Sequence, residues 1–156
     1  MSLLENGHIF FLPRIETKKA LLTEISKRIA KSLSLEGSAI LDRLEKRENL
    51  ESTAIGLGVA VPHLKTNGLN ETIGFLFRLQ VPIHFGAHDD IPVDLLFVLL
   101  SPEDLGASYL KTLAHVSRLL KDEQIGAKLR GCETPEAIYS FFDELERESN
   151  DFKRAG

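Results

Sequence analysis

The apolar positions change period several times along the chain, and each change marks an element. His8-Ile9-Phe10-Phe11-Leu12 is a short apolar run ahead of Pro13 and reads as an edge strand, with His8 at the surface. From Thr17 to Leu33 the period becomes helical. Leu21, Ile25, Ile29 and Leu33 recur every four residues, Leu22 and Ala30 widen the stripe, and Thr17 stands where a cap belongs. Gly37-Ser38 then stops and recaps the chain. Ile40, Leu41 and Leu44 give a second helix, from Ser38 to about Asn49, with Arg43, Lys46 and Arg47 toward its C-terminal end. Cations suit the helix dipole there, and on residue type alone that accounts for Arg47.

Between Ser52 and Lys65 the alternation is strict. Ile55, Leu57, Val59 and Val61 fall on one side, and Gly56, Gly58 and Ala60 on the other. This predicts one strand with a crowded face. Pro62, lacking an N–H, is expected to end its ladder and leave His63 at a rigid, exposed strand end. Asn67-Gly68 punctuates a turn, and Thr72 to Gln80 reads as another strand. The loop from Val81 to Pro92 holds His84, His88, Asp89 and Asp90, but without the ligand spacing of a metal site, so no metal is expected.

Val93 to Leu100 is apolar except for Asp94, the pattern of a central strand covered on both faces. Ser108 to Leu120 reads as a helix anchored by Leu110, Leu113 and Leu120, and Glu123 to Leu129 as another. In the last helix Thr134 is the cap, Pro135 takes the first position, and Ala137, Ile138, Phe141, Phe142 and Leu145 form the core face. Residues 146–156 are polar with one aromatic and are expected to fray. Strands and helices mix without regular alternation. The expectation is an α/β fold, a three-layer α/β/α domain on a mixed sheet, with residues 1–156 as a single domain.

Composition narrows the function class. The net charge is −4, from 19 basic and 23 acidic residues, which argues against nucleic-acid binding. No apolar run reaches ~18 residues, so membrane insertion is not expected. The single cysteine, Cys132, allows no internal disulfide and suits a cytoplasmic setting.

The candidate chemistry lies around His63. Ser52 and Thr53 precede it and Lys65 follows, all groups that suit a phosphate. A lone histidine after a strand usually has no chemistry. The words around this one, however, are distinctive: Arg47-Glu48, Ser52-Thr53-Ala54-Ile55-Gly56 and Gly58-Val59-Ala60-Val61-Pro62-His63. This segment resembles the phosphohistidine segment of the fructose/mannitol-type enzyme IIA domains of the bacterial phosphoenolpyruvate-dependent phosphotransferase system. Pro82-Ile83-His84-Phe85 and Pro92-Val93-Asp94-Leu95-Leu96-Phe97 also resemble that family, nearest its nitrogen-regulatory branch. The resemblance runs from about Ile15 to Leu145.

The resemblance implies that His63 accepts a phosphoryl group from an HPr-type carrier protein, in a regulatory role and with no cofactor. Arg47, Ser52 and Thr53 would stabilise the phosphoryl oxygens. Pro62 and Leu64 would form an apolar docking rim. A IIB domain, or a regulated kinase or transporter, would be a further partner. The alternatives are a sugar-transport IIA passing phosphoryl to a IIB domain, or a non-catalytic regulatory module of the same fold. Two positions depart from the family pattern. Leu64 stands where a glycine or another small residue is usual, and Tyr109 where a second histidine usually faces the first. Tyr109 can offer a hydroxyl hydrogen bond but no charge near neutral pH. His115 does not replace that histidine, since six residues turn a helix by about 240°.

Overall fold

The computed structural model describes residues 3–104 and 106–155, with side chains through residue 149 outside that gap. In chain order the elements are β1 (Leu4–Leu12), α1 (Lys18–Leu33), α2 (Gly37–Leu50), β2 (Ala54–Gly56), β3 (Val59–Ala60), β4 (His63–Thr66), β5 (Ile73–Ile83), β6 (Val93–Pro102), α3 (Ser108–Lys121), α4 (Glu123–Gly131) and α5 (Pro135–Ala155). The six strands form one mixed sheet in the order β1-β5-β6-β3-β2, with β4 also on β6. β1 runs parallel to β5, β5 antiparallel to β6, and β3 and β4 parallel to β6.

β6 is the spine of this sheet because its side chains are apolar on both faces. Leu96, Val98 and Leu100 join Ile25, Ile29 and Leu44 of α1 and α2 in one core. Leu95, Phe97 and Leu99 join Val116, Leu129, Ile138 and Phe142 of α3, α4 and α5 in the other. The architecture is thus the expected α/β/α stack. Its caps follow the sequence: the Thr17 hydroxyl accepts from the Ala20 N–H at 3.0 Å and that of Thr134 from the Ala137 N–H at 3.1 Å. On β5, Gly74 leaves room that Phe97 fills. A Cβ at position 74 would lie 2.4 Å from Cε1 of that ring, which stacks on Phe142 at 5.4 Å.

Several expectations are corrected. The stretch from Ser52 to Lys65 is a hairpin followed by a further strand. β2 and β3 pair antiparallel, Ala54 opposite Ala60. Gly56, Leu57 and Gly58 all take left-handed φ values, of 97°, 59° and 78°. A leucine seldom adopts such a backbone. Here the Asp89 carboxylate accepts from the Leu57 N–H at 2.9 Å, and Arg130 donates to the Leu57 carbonyl at 3.0 Å. Asp94 fixes Arg130 through both of its carboxylate oxygens, each at 3.0 Å.

Pro62 does not end the ladder either. The chain keeps its register on β6, from Ala60 opposite Leu96 to His63 opposite Leu99. Pro62 supplies only its carbonyl, to the Leu99 N–H at 2.9 Å. His8 lies inside and not at the surface: it is 9% exposed and stacks on Phe75 at 4.1 Å. A register shift between Leu4 and Ile9, with Gly7 at a φ of 103°, lies just ahead of it in the strand. Leu110 is 54% exposed and Ala137 is exposed, so Val116 with Leu120, and Ile138 with Phe142, carry the helix cores. Residues 146–155, expected to fray, continue α5, where the Glu146 carboxylate accepts from the Leu3 N–H at 3.4 Å. Gly156, Met1 and Ser2 lie outside the described residues.

Candidate functional site

β2 pairs with β3 but stops short of β4, so β4 keeps one open side, and the C-terminal part of α2 reaches it there. Arg43 donates to the Lys65 carbonyl at 2.8 Å and pairs with Glu103 at 3.0 Å. One turn further along α2, Arg47 turns toward His63.

His63 is half-buried and held from two sides. Its Nδ1 lies 2.9 Å from the Val61 carbonyl oxygen. A carbonyl only accepts, so the ring N–H is on Nδ1 and the lone pair is on Nε2. That lone pair receives the Arg47 Nε–H at 3.1 Å, while the same guanidinium donates to the Glu51 carbonyl at 2.7 Å. Burial pushes the His63 pKa below its ordinary 6.5. The Val61 hydrogen bond opposes that shift, the Arg47 charge adds to it, and Glu48 opposes it more weakly. The ring is therefore mainly neutral at pH 7, and its one lone pair faces a cation.

Tyr109, in the first turn of α3, stands beside this ring with centroids 6.0 Å apart and planes at 44°. The Lys65 ammonium lies over the Tyr109 ring, 5.1 Å from its centroid. The structure thus brings Arg47, His63, Tyr109 and Lys65 together.

Ser52 and Thr53 are committed elsewhere. The Ser52 hydroxyl donates to the Phe85 carbonyl at 2.6 Å. Thr53 is 5% exposed; its hydroxyl donates to one Glu48 oxygen and its N–H to the other, at 3.2 Å. Neither hydroxyl is free to donate to a phosphoryl oxygen. Pro62 and Leu64 form no rim, because both are buried, and Leu64 packs in the core beneath α1 and α2. Once β4 is a strand, alternation sends Leu64 to the face opposite its neighbours. Among the described residues, Leu110, next to Tyr109 in sequence, and Leu50, 83% exposed and one turn past Arg47, are exposed apolar side chains.

Glu48 was given no role from the sequence beyond its place in the Arg47-Glu48 pair. Its side chain is 3% exposed and pairs with Lys18 at 2.8 Å, and Lys18 also donates to the Phe85 carbonyl at 3.1 Å. The only signal was a charge pair, Arg47-Glu48, near the end of an amphipathic helix, where adjacent residues must face different ways. β5 runs on through Ile83, so the loop expected from Val81 is confined to residues 84–92; in it Asp89 serves as a turn former, accepting from the Leu57 and Ile91 N–H groups. Among the described residues no three His, Cys, Asp or Glu side chains converge as metal ligands, and no helix is long and apolar enough to cross a membrane.

The family model for the phosphoenolpyruvate-dependent sugar phosphotransferase system, EIIA 2, matches residues 2–145. The chain belongs to this EIIA family. It is similar to a nitrogen regulatory protein of Bradyrhizobium diazoefficiens, with 42% identity over 127 residues, 81% of this chain and 83% of that one. In three dimensions it resembles the nitrogen regulatory protein IIA-Ntr of Neisseria meningitidis, with a TM-score of 0.82 and 30% identity over 90% of this chain and 96% of that one. The mannitol enzyme IIA of Escherichia coli, solved in complex with phosphorylated enzyme IIB, has a TM-score of 0.73 at 18% identity, covering 91% of this chain and 99% of that one; this likeness concerns the fold alone.

Proposed function

We propose that this protein is a cytoplasmic phosphocarrier in which His63 Nε2 accepts a phosphoryl group from an HPr-type carrier protein, and that its role is regulatory. The observation that carries the reading is the one-sided imidazole. The Val61 carbonyl holds the proton on Nδ1, and Arg47 meets the lone pair on Nε2. Membership in the EIIA family and similarity to nitrogen regulatory proteins support it.

Phosphoryl transfer asks a protein mainly for positioning and for stabilisation of the oxygens. The Nε2 lone pair forms the new N–P bond as the donor's bond to phosphorus breaks, and that electron pair returns to the donor. The Nδ1 proton stays where it is, and its bond to the Val61 carbonyl strengthens as the ring gains positive character. Arg47 then turns its N–H groups from Nε2 to the phosphoryl oxygens. Ser52 and Thr53 support the site through the Phe85 and Glu48 contacts instead of binding oxygens directly.

The test is incubation with phosphoenolpyruvate, enzyme I and HPr, followed by intact mass. One phosphoryl group is expected, acid-labile and absent from His63→Ala. An unmodified mass would sink the reading and favour a second one, a partner-binding module without phosphorylation, which Tyr109 at the second-histidine position supports. Transfer to a IIB domain that drives sugar uptake would overturn the regulatory role.

A further inference from the structure

The phosphoryl site contains one more cation than the resemblance assigns. On β4, His63 and Lys65 are two residues apart and so share a face, roughly 7 Å apart along the strand, while Leu64 turns into the opposite core. Both flank Tyr109: its ring centroid is 6.0 Å from that of His63 and 5.1 Å from the Lys65 ammonium. An ammonium within about 6 Å of an aromatic face is held there by the ring quadrupole. Arg43 fixes the backbone of the same residue through its carbonyl.

Lys65 is also uncommitted. Arg43, which reaches the same strand, has a carboxylate in Glu103. Among the described residues Lys65 pairs with no carboxylate. An ammonium over an aromatic ring that also flanks His63, and without a counter-ion, is free to take an anion. A phosphoryl group brings about −1.5 to −2 charges at pH 7, and Arg47 supplies one positive charge against it. The neutral Tyr109 adds none.

We propose that Lys65 is a second catalytic cation, whose ammonium binds the phosphoryl oxygens at His63 Nε2 together with Arg47, while the Tyr109 ring guides it there. This rests on the phosphocarrier reading above and deepens it. Charge that a second histidine would provide from α3 comes instead from the strand that carries the nucleophile. No extra bond is made or broken: the ammonium keeps its protons and donates them as hydrogen bonds to the oxygens.

The experiment compares the parent, Lys65→Met and Lys65→Arg as full chains, with two donors. One is phosphorylated HPr; the other is phosphoramidate, a small donor that needs no protein docking. Circular dichroism confirms that each variant folds. Loss of a charge-assisted hydrogen bond slows a reaction by about ten- to a hundredfold. That loss is expected in Lys65→Met with both donors, and Lys65→Arg should recover most of the rate. Parent-like rates in Lys65→Met would overturn the inference while leaving His63 phosphorylation intact. A loss confined to phosphorylated HPr would also overturn it, assigning Lys65 to the partner interface. If the parent itself takes no phosphoryl group from either donor, the phosphocarrier reading fails first.

Discussion

At the scale of single residues, the state of His63 sets the conditions under which the site works. Only the neutral ring has a lone pair on Nε2, and burial together with Arg47 holds the pKa below 6.5. Protonation is thus delayed to a lower pH than in an ordinary histidine. With phosphoramidate as donor, we expect the phosphorylation rate to reach half of its maximum only below pH 6.5. A half-maximal rate above pH 6.5 would contradict the burial and charge seen at the ring. The sequence marked His63, Arg47 and Tyr109, and the structure brings these three together. It could not show that Ser52 and Thr53 spend their hydroxyls inside the protein, because their acceptors, Phe85 and Glu48, are identified only by the fold.

At the scale of elements, legibility followed the length and uniqueness of each pattern. α1 and β6 were readable because a four-residue period with a cap, and a long apolar run, each suit one structure only. The hairpin was not. A period of two describes a single strand and the two arms of a hairpin equally well, and the tight turn depends on Asp89 and Arg130, 32 and 73 residues from Leu57. The change from loop to strand after Pro62 likewise moved Leu64 from the expected rim into the core. Glu48 matters at this scale because it ties three elements: it sits on α2, pairs with Lys18 of α1, and accepts both donors of Thr53 ahead of β2. Glu48→Ala would leave the Thr53 N–H and hydroxyl buried without an acceptor. We expect a loss of about 2–4 kcal/mol, measured by urea unfolding. Parent-like stability in this variant would mean that the network is replaceable by water.

At the scale of the whole molecule, stability should depend on pH through groups on different parts of the sheet. Burial lowers the pKa of His8, opposed by Glu5 and by the Gly74 backbone, and burial also leads the lowering at His63. For both, the unfolded chain binds its proton first as pH drops below 6.5, so their contribution is complete above that pH and is lost on acidification. Glu146 behaves oppositely: burial raises its pKa above 4.5, so the folded chain holds its proton longer and this contribution falls as pH rises through that lower range. The thermal midpoint should therefore be level between about pH 8 and 7 and decline toward pH 5.5. His8→Phe, which keeps a ring against Phe75, should lessen the decline, and an unchanged slope would exclude His8 as a source. The packing between sheet and helices also constrains how such a chain can drift over generations. A side chain gained at position 74 collides with Phe97, and a smaller residue at 97 removes the ring on which Phe142 rests. Each step alone is harmful, whereas matched changes at all three positions keep the space filled. Lineages that cross such ridges in matched sets can lose most of their shared letters while retaining one shape, a route by which chains as different as this one and the mannitol enzyme IIA can still superimpose.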